Sequence, residues 1–184
     1  MNDAFALWFT GLPCSGKTTL SDAVEKELLA LGLAVEHLDG DVIRKKFSPE
    51  LGFSKKDREA QIERVAFEAA MLTKNGVITL ASIISPYRAM RQNARQIISG
   101  FIEIYVRCPL EVCERRDVKG MYALARKGVI KNFTGISDVY EAPTSAEIVV
   151  NTDVMDVKSC VDSIMGYLIS NRKLGSVNSG SISP

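Results

Sequence analysis

The chain has 184 residues, with 23 basic and 22 acidic side chains giving a formal net charge of +1 and a pI near 7.6. That length fits one domain able to bury a core without staples, and the balanced charge gives no bulk electrostatic reason to bind nucleic acid or a membrane. Four cysteines, Cys14, Cys108, Cys113 and Cys160, lie far apart without paired metal spacing. With no apolar run of membrane-span length and no leader-like N-terminus, the chain reads as a cytoplasmic protein with free thiols.

The run Ala4 to Thr10, with Trp8 and Phe9, predicts a buried strand. It leads into Gly11-Leu12-Pro13-Cys14-Ser15-Gly16-Lys17-Thr18, followed by Thr19, a complete Walker A sequence. Its glycines let the backbone wrap a polyphosphate, so that successive N–H groups and the N-terminus of the next helix face the anion. Lys17 is suited to reach the β- and γ-phosphates of ATP, and the Thr18 hydroxyl to ligate the Mg²⁺ that bridges them. The alternative is a chance glycine-rich turn, but the strand before it and the helical spacing of Leu20, Val24, Leu28 and Leu31 after it favour the phosphate loop. Cys14 fills a variable position of the motif and reads as a bystander rather than a redox sensor.

Gly32 predicts a helix C-cap, and Leu33 to Leu38 a second strand ending in Asp39-Gly40-Asp41. Acids at the C-terminal end of a parallel strand face the active edge, which makes Asp39 and Asp41 the leading acids; a polar Asp-Gly turn is the plain alternative. His37, the only histidine, reads as structural. Ser54-Lys55-Lys56-Asp57 has capping-box spacing, and Ile62, Val65, Ala66, Ala69 and Leu72 predict a helix from 54 to 74, closed by Asn75-Gly76. Arg58 lies in its first turn, where the helix dipole disfavours a cation, so either an anionic ligand or a nearby Glu would account for it.

Val77 to Ile84 predicts a third strand, followed by Ser85-Pro86-Tyr87-Arg88 and an Arg-rich helix to about Ser99. Arg88, Arg91 and Arg95 read as a solvated face, with Arg88 placed to reach a phosphate at the sheet edge. Ile102 to Val106 predicts the fourth strand, and Pro109 opens a short helix through Arg116. From Asp117 to Pro143 cations, glycines and an aromatic alternate, a composition suited to a lid closing over phosphates; a flexible surface loop is the alternative. Ile148 to Val150 predicts a fifth strand ending in Asn151-Thr152, and Val157, Cys160, Val161, Ile164, Met165 and Leu168 an amphipathic closing helix. Residues 1–173 are thus expected to form one domain, and the Gly/Ser-rich segment 174–184 a disordered tail.

From Trp8 to Thr152 the chain resembles the adenylylsulfate (APS) kinases. The resemblance rests on the phosphate loop at 11–19, Asp-Gly-Asp at 39–41, Leu-Gly-Phe-Ser at 51–54, Ile-Ser-Pro-Tyr-Arg at 84–88, Lys-Gly-Met-Tyr at 119–122 and Phe-Thr-Gly-Ile at 133–136. It implies a three-layer α/β P-loop kinase fold with a five-stranded parallel sheet in the order 2-3-1-4-5; the alternation of strands and helices independently supports the class. It also implies transfer of the ATP γ-phosphoryl group to the 3′-hydroxyl of adenosine 5′-phosphosulfate, with magnesium required and small-molecule nucleotides and a second copy of the chain as partners.

By that resemblance Phe53 and Phe133 sandwich the acceptor adenine, and Arg44 and Arg58 hold its phosphosulfate. Asp41 acts on the attacking hydroxyl and, with Thr18, on magnesium, while Lys119 steadies the phosphates. Asp39, Gln61, Ile84 and Ser85 complete the acceptor pocket. Arg116 and Thr152 lie near the ATP adenine, beside the loop residues Gly11, Cys14, Ser15, Gly16, Lys17, Thr18 and Thr19. Ser85 matches a serine considered as a phosphoacceptor, but a strand-end serine bonded to backbone or substrate is the favoured role. Two departures, Gln61 for the family's Asn and Ile83 for its Phe, leave another nucleotide conjugate open as acceptor. The rival from another class is a non-catalytic nucleotide-binding regulator, against which the intact Lys17, Thr18 and Asp41 count.

Overall fold

The apolar runs become strands β1 (Ala6–Thr10), β2 (Val35–Asp39), β3 (Ile78–Ser82), β4 (Phe101–Arg107) and β5 (Ile148–Asn151) in the computed structural model, which describes residues 4–174. All four pairings are parallel, and the strand order is β2-β3-β1-β4-β5, as the resemblance implies. Every residue of β1 and β3 is buried, as central parallel strands covered on both faces require. Alternate side chains serve opposite faces. Phe5, Leu7 and Phe9 pack with Leu80, Ile104 and Val106 against α1 (Lys17–Ala30) and α7 (Val157–Ser170). Ala6, Trp8 and Ala81 pack against α3 (Lys55–Lys74) and α4 (Arg88–Ile97).

Two helices were not foreseen, and several boundaries move. Asp39-Gly40-Asp41 is not a terminal turn but the start of α2 (Gly40–Phe47), because the Asp39 side chain accepts the N–H groups of Asp41 and Val42. Within the cation-rich connection, Asp117 accepts the N–H groups of Tyr122 and Ala123 and so starts α6 (Met121–Arg126). Helix α1 stops at Ala30, leaving Leu31 42% exposed rather than on the buried face. Gly32 follows the cap at φ +74°; its N–H donates to Leu29 and that of Leu33 to Leu28, the paired closure that favours glycine there. β3 ends at Ser82 and α4 at Ile97, while Pro109 caps α5 (Leu110–Arg116) rather than forming its first turn. The expected tail lies, beyond Leu174, outside the described residues.

The arginine stripe on α4 is not a solvated face. Arg91 is 3% exposed and donates to Glu103 on β4 at 2.6 Å, to the Ser85 carbonyl at 2.6 Å and to the Glu141 carbonyl at 2.6 Å. Arg95 makes a two-pronged pair with Glu147 at 2.6 and 2.8 Å. Arg88 turns to the Ala142 carbonyl, at 2.8 Å, instead of a phosphate position. Together with the 3.0 Å bond between the Thr10 and Tyr140 hydroxyls, these contacts fix the C-terminal end of the 117–143 segment to the sheet.

Candidate active site

The phosphate loop leaves β1 at a point where no side chain fits. A Cβ on Gly11 would lie 2.5 Å from the Val106 carbonyl oxygen. Cys14 holds φ +58° and Gly16 φ +103°, and α1 begins at Lys17. The Lys17 ammonium donates back to the loop, to the carbonyls of Gly11 at 3.0 Å and Leu12 at 2.7 Å. Its burial lowers its pKa to about 8, against the opposing pull of nearby Asp41 and Asp39. Thr152 Oγ1 donates to the Ser15 carbonyl at 2.7 Å, and Arg116 reaches the Cys14 carbonyl at 3.3 Å and Thr152 Oγ1 at 3.2 Å. The predicted ATP-side residues therefore assemble, with Arg116 and Thr152 bracing the loop backbone.

At the loop's far end Thr18 Oγ1 donates to Asp39 Oδ2 at 3.1 Å, and Ser82 Oγ to the same oxygen at 3.3 Å. Burial opposes ionisation of Asp39, but the N–H of Val42, the Thr18 hydroxyl and the N–H of Asp41 outweigh it and hold the carboxyl below the usual range. Asp41, two residues further, pairs with Lys119 Nζ at 2.5 Å across the opening. Hydroxyl and carboxylate oxygens are the donor set that Mg²⁺ prefers. Behind them His37 Nε2 lies 2.9 Å from the Ser21 and Ser82 hydroxyls, a structural place for the lone histidine.

One cavity of about 700 Å³ joins the loop to the residues expected to hold the acceptor. Every residue proposed from sequence lines it except Gly11 and Ser15, which stand behind it. The guanidinium of Arg44 lies 4.8 Å and that of Arg58 5.6 Å from the centre of the Phe53 ring. Arg44 is held by the carbonyls of Leu51 and Gly52 at 3.1 and 2.6 Å. Arg58, 7% exposed, is held by those of Phe53 and Asn132 at 3.1 and 2.6 Å, with Asp138 at 3.7 Å. Neither a nearby Glu nor a solvated position accounts for Arg58: it is a buried cation at the cavity wall. Phe133 stands opposite in the 117–143 segment, edge-on to Tyr122 with ring centres 4.9 Å apart.

Ser85 is 1% exposed at φ +40°, accepts the Trp8 indole N–H at 3.1 Å and donates to the Ile83 carbonyl at 3.4 Å. Its hydroxyl is thus engaged by the frame, and the Ile84 carbonyl beside it accepts from Thr10 at 2.7 Å. Gln61 is 2% exposed, and neither end of its amide has a partner among the described residues. Thr134 Oγ1 is in the same condition on the same cavity, a site residue that the sequence reading passed over although it follows Phe133 directly. Buried polar groups without partners cost stability, and both residues line the cavity, where a polar ligand would supply the missing bonds.

Residues 3–151 match the family model described as adenylylsulphate kinase. The chain belongs to the adenylylsulphate kinase family. Among its relatives is the adenylyl-sulfate kinase of Synechococcus sp. strain JA-3-3Ab, 54% identical over 165 residues, 90% of this chain and 94% of the relative. The solved structure of the Mycobacterium tuberculosis APS kinase CysC in complex with AMPPNP and APS superposes with a TM-score of 0.88 at 34% identity, covering 92% of this chain and 99% of that one. A hexameric APS kinase from Thiobacillus denitrificans superposes at 0.72 with 29% identity, covering 94% of this chain and 30% of that one. The kinase frame and the phosphate loop of this family member are therefore those of the APS kinases.

Proposed function

We propose that this protein transfers the γ-phosphoryl group of ATP to the 3′-hydroxyl of adenosine 5′-phosphosulfate, yielding ADP and 3′-phosphoadenosine 5′-phosphosulfate. The observation that carries this reading is that one continuous cavity has a phosphate loop at one end and Phe53, Phe133, Arg44 and Arg58 at the other. A flat base and a compact dianion fit the two rings and two guanidinium groups. The family's adenylyl-sulfate kinases, at about half identity over most of the chain, favour the sulfonucleotide over another conjugate, and the intact loop disfavours a non-catalytic regulator.

In the reaction the 3′-oxygen bonds to the γ-phosphorus as the bond to the β-phosphate oxygen breaks, and ADP leaves with the electron pair. Lys17 leaves the Gly11 and Leu12 carbonyls for the phosphates, and the loop N–H groups hold them in line. Asp41 orients the hydroxyl and takes up its proton, while Lys119, released from Asp41, neutralises charge on the phosphoryl oxygens. Thr18 and Asp41, with Asp39 behind them, would hold Mg²⁺, which supplies charge neutralisation across the β- and γ-phosphates. Residues 1–173 act as one kinase domain with 117–143 as its lid, in the cytoplasm and as a homodimer. The test is a coupled ADP assay with the sulfonucleotide beside other nucleotide conjugates, followed by product identification. Turnover with another conjugate and none with the sulfonucleotide overturns the acceptor while leaving the kinase chemistry in place. Light scattering of the full chain checks the dimer.

A further inference from the structure

Tyr122 joins two parts of the site that otherwise have separate tasks. It is 2% exposed in the first turn of α6, where Asp117 accepts its backbone N–H at 2.9 Å. Its hydroxyl donates to the Pro13 carbonyl at 2.9 Å, and its ring meets Phe133 edge-on at an interplanar angle of 77°. Burial pushes its phenol well above the ordinary range, so the proton that makes this bond is retained.

The Pro13–Cys14 peptide is trans, and in a planar trans unit the N–H points away from the carbonyl. Cys14 lines the cavity and Tyr122 does not. Holding the Pro13 oxygen on the Tyr122 side therefore turns the Cys14 N–H away from Tyr122. That matters because Cys14 sits at φ +58°, a conformation a non-glycine residue seldom takes up unaided, although left-handed positions of this kind create anion-binding concavities. Further along the loop, the Ser15 carbonyl is held by Thr152 at 2.7 Å and Arg116 at 3.4 Å from the cavity wall. A second point of contact reinforces the first: a Cβ on Gly135 would lie 3.0 Å from Leu12 Cδ2, so the Phe133 segment rests directly on the loop.

We propose that Tyr122 is a positioning residue for both substrates, its hydroxyl presetting the Cys14 N–H for the ATP phosphates and its ring backing Phe133 against the acceptor base. The proposal rests on the kinase reading and on the acceptor role of Phe133.

The experiment compares the full-length protein with Tyr122→Phe and Tyr122→Leu, measuring kcat, KM for ATP and for adenosine 5′-phosphosulfate, and Kd for ADP by calorimetry. Tyr122→Phe removes only the bond to Pro13; it raises KM for ATP and Kd for ADP about fivefold, the factor a lost neutral hydrogen bond carries, and leaves the acceptor KM within twofold. Tyr122→Leu also removes the ring edge and raises the acceptor KM about fivefold. If Tyr122→Leu does not fold, Tyr122→Met supplies that half. Unchanged ATP and ADP constants in Tyr122→Phe, an equal rise for both substrates in it, or an unchanged acceptor KM without the ring overturns the proposal. Lys17→Ala run alongside separates the two levels: if it is inactive while Tyr122→Phe behaves as wild type, only the role of Tyr122 falls, whereas an active Lys17→Ala removes the kinase site itself.

Discussion

Lys17 shows how burial sets both the use and the cost of a charge. In the free protein its ammonium spends donors on two loop carbonyls, and desolvation leaves its pKa about 8. Bound phosphates restore the charged form. Accordingly kcat/KM for ATP is expected to fall as pH rises through about 8, with kcat at saturating ATP falling at higher pH; a pH profile in which both fall together counts against this assignment. For stability the sign is opposite. The folded pKa lies below the unfolded one, so the unfolded chain binds more protons between about 8 and 10.5, and this residue's contribution to stability improves as pH rises through that window. Lys17→Ala is expected to abolish turnover while leaving circular dichroism and the melting transition near wild type. Asp41→Asn is expected to lower kcat at least a hundredfold with little change in KM for ATP, because in the proposed reaction Asp41 acts on the hydroxyl and the metal rather than on the nucleotide base.

At the scale of elements, short caps determine where the Phe53 and Arg58 wall of the cavity stands. Ser54 Oγ accepts the Asp57 N–H at 3.2 Å and fixes the first turn of α3, which carries Arg58 and follows Phe53. Ser54→Ala should cost about 1 kcal/mol in urea unfolding, and should raise the acceptor KM more than that for ATP. This cap and the strands could be read in the sequence because both depend on neighbours a few residues away. Continuous apolar runs such as Ala6–Thr10 and Ile78–Ser82 have no other economical home than a parallel sheet. Helix α2 escaped because Asp39-Gly40-Asp41 has turn chemistry, and only the structure shows the Asp39 carboxylate turned onto the following N–H groups. The Arg91 side chain was misread for a related reason: its partners Glu103 and the Glu141 carbonyl come from other elements, and helical spacing carries no record of them. Most acceptor residues were placed by resemblance to a family. The bare amide of Gln61 and the hydroxyl of Thr134 became visible only when burial could be set beside hydrogen bonding.

Across the whole molecule, the cluster of Arg91, Glu103, Arg95 and Glu147 joins α4, β4 and the residues before β5. Arg91→Met leaves Glu103 buried with only Arg95, at 3.5 Å, and should cost about 3–5 kcal/mol by urea unfolding. Because Arg91 also holds the Glu141 carbonyl, the same variant should become cleavable by protease near 141 before the sheet unfolds. The N-terminal part of that long segment is tied differently. Lys119 and Asp41 are each 68% exposed, so their attraction is subject to the solvent's ions, whereas the bonds from Arg58 to Asn132 and from Tyr122 to Pro13 are made by side chains withdrawn from it. Added salt cuts the reach of an exposed charge from about 30 Å at 0.01 M to about 3 Å at 1 M. High salt is therefore expected to loosen the strip around Lys119 first, quickening hydrogen exchange at residues 118–120 while the Phe133 side, held by withdrawn bonds, keeps its protection.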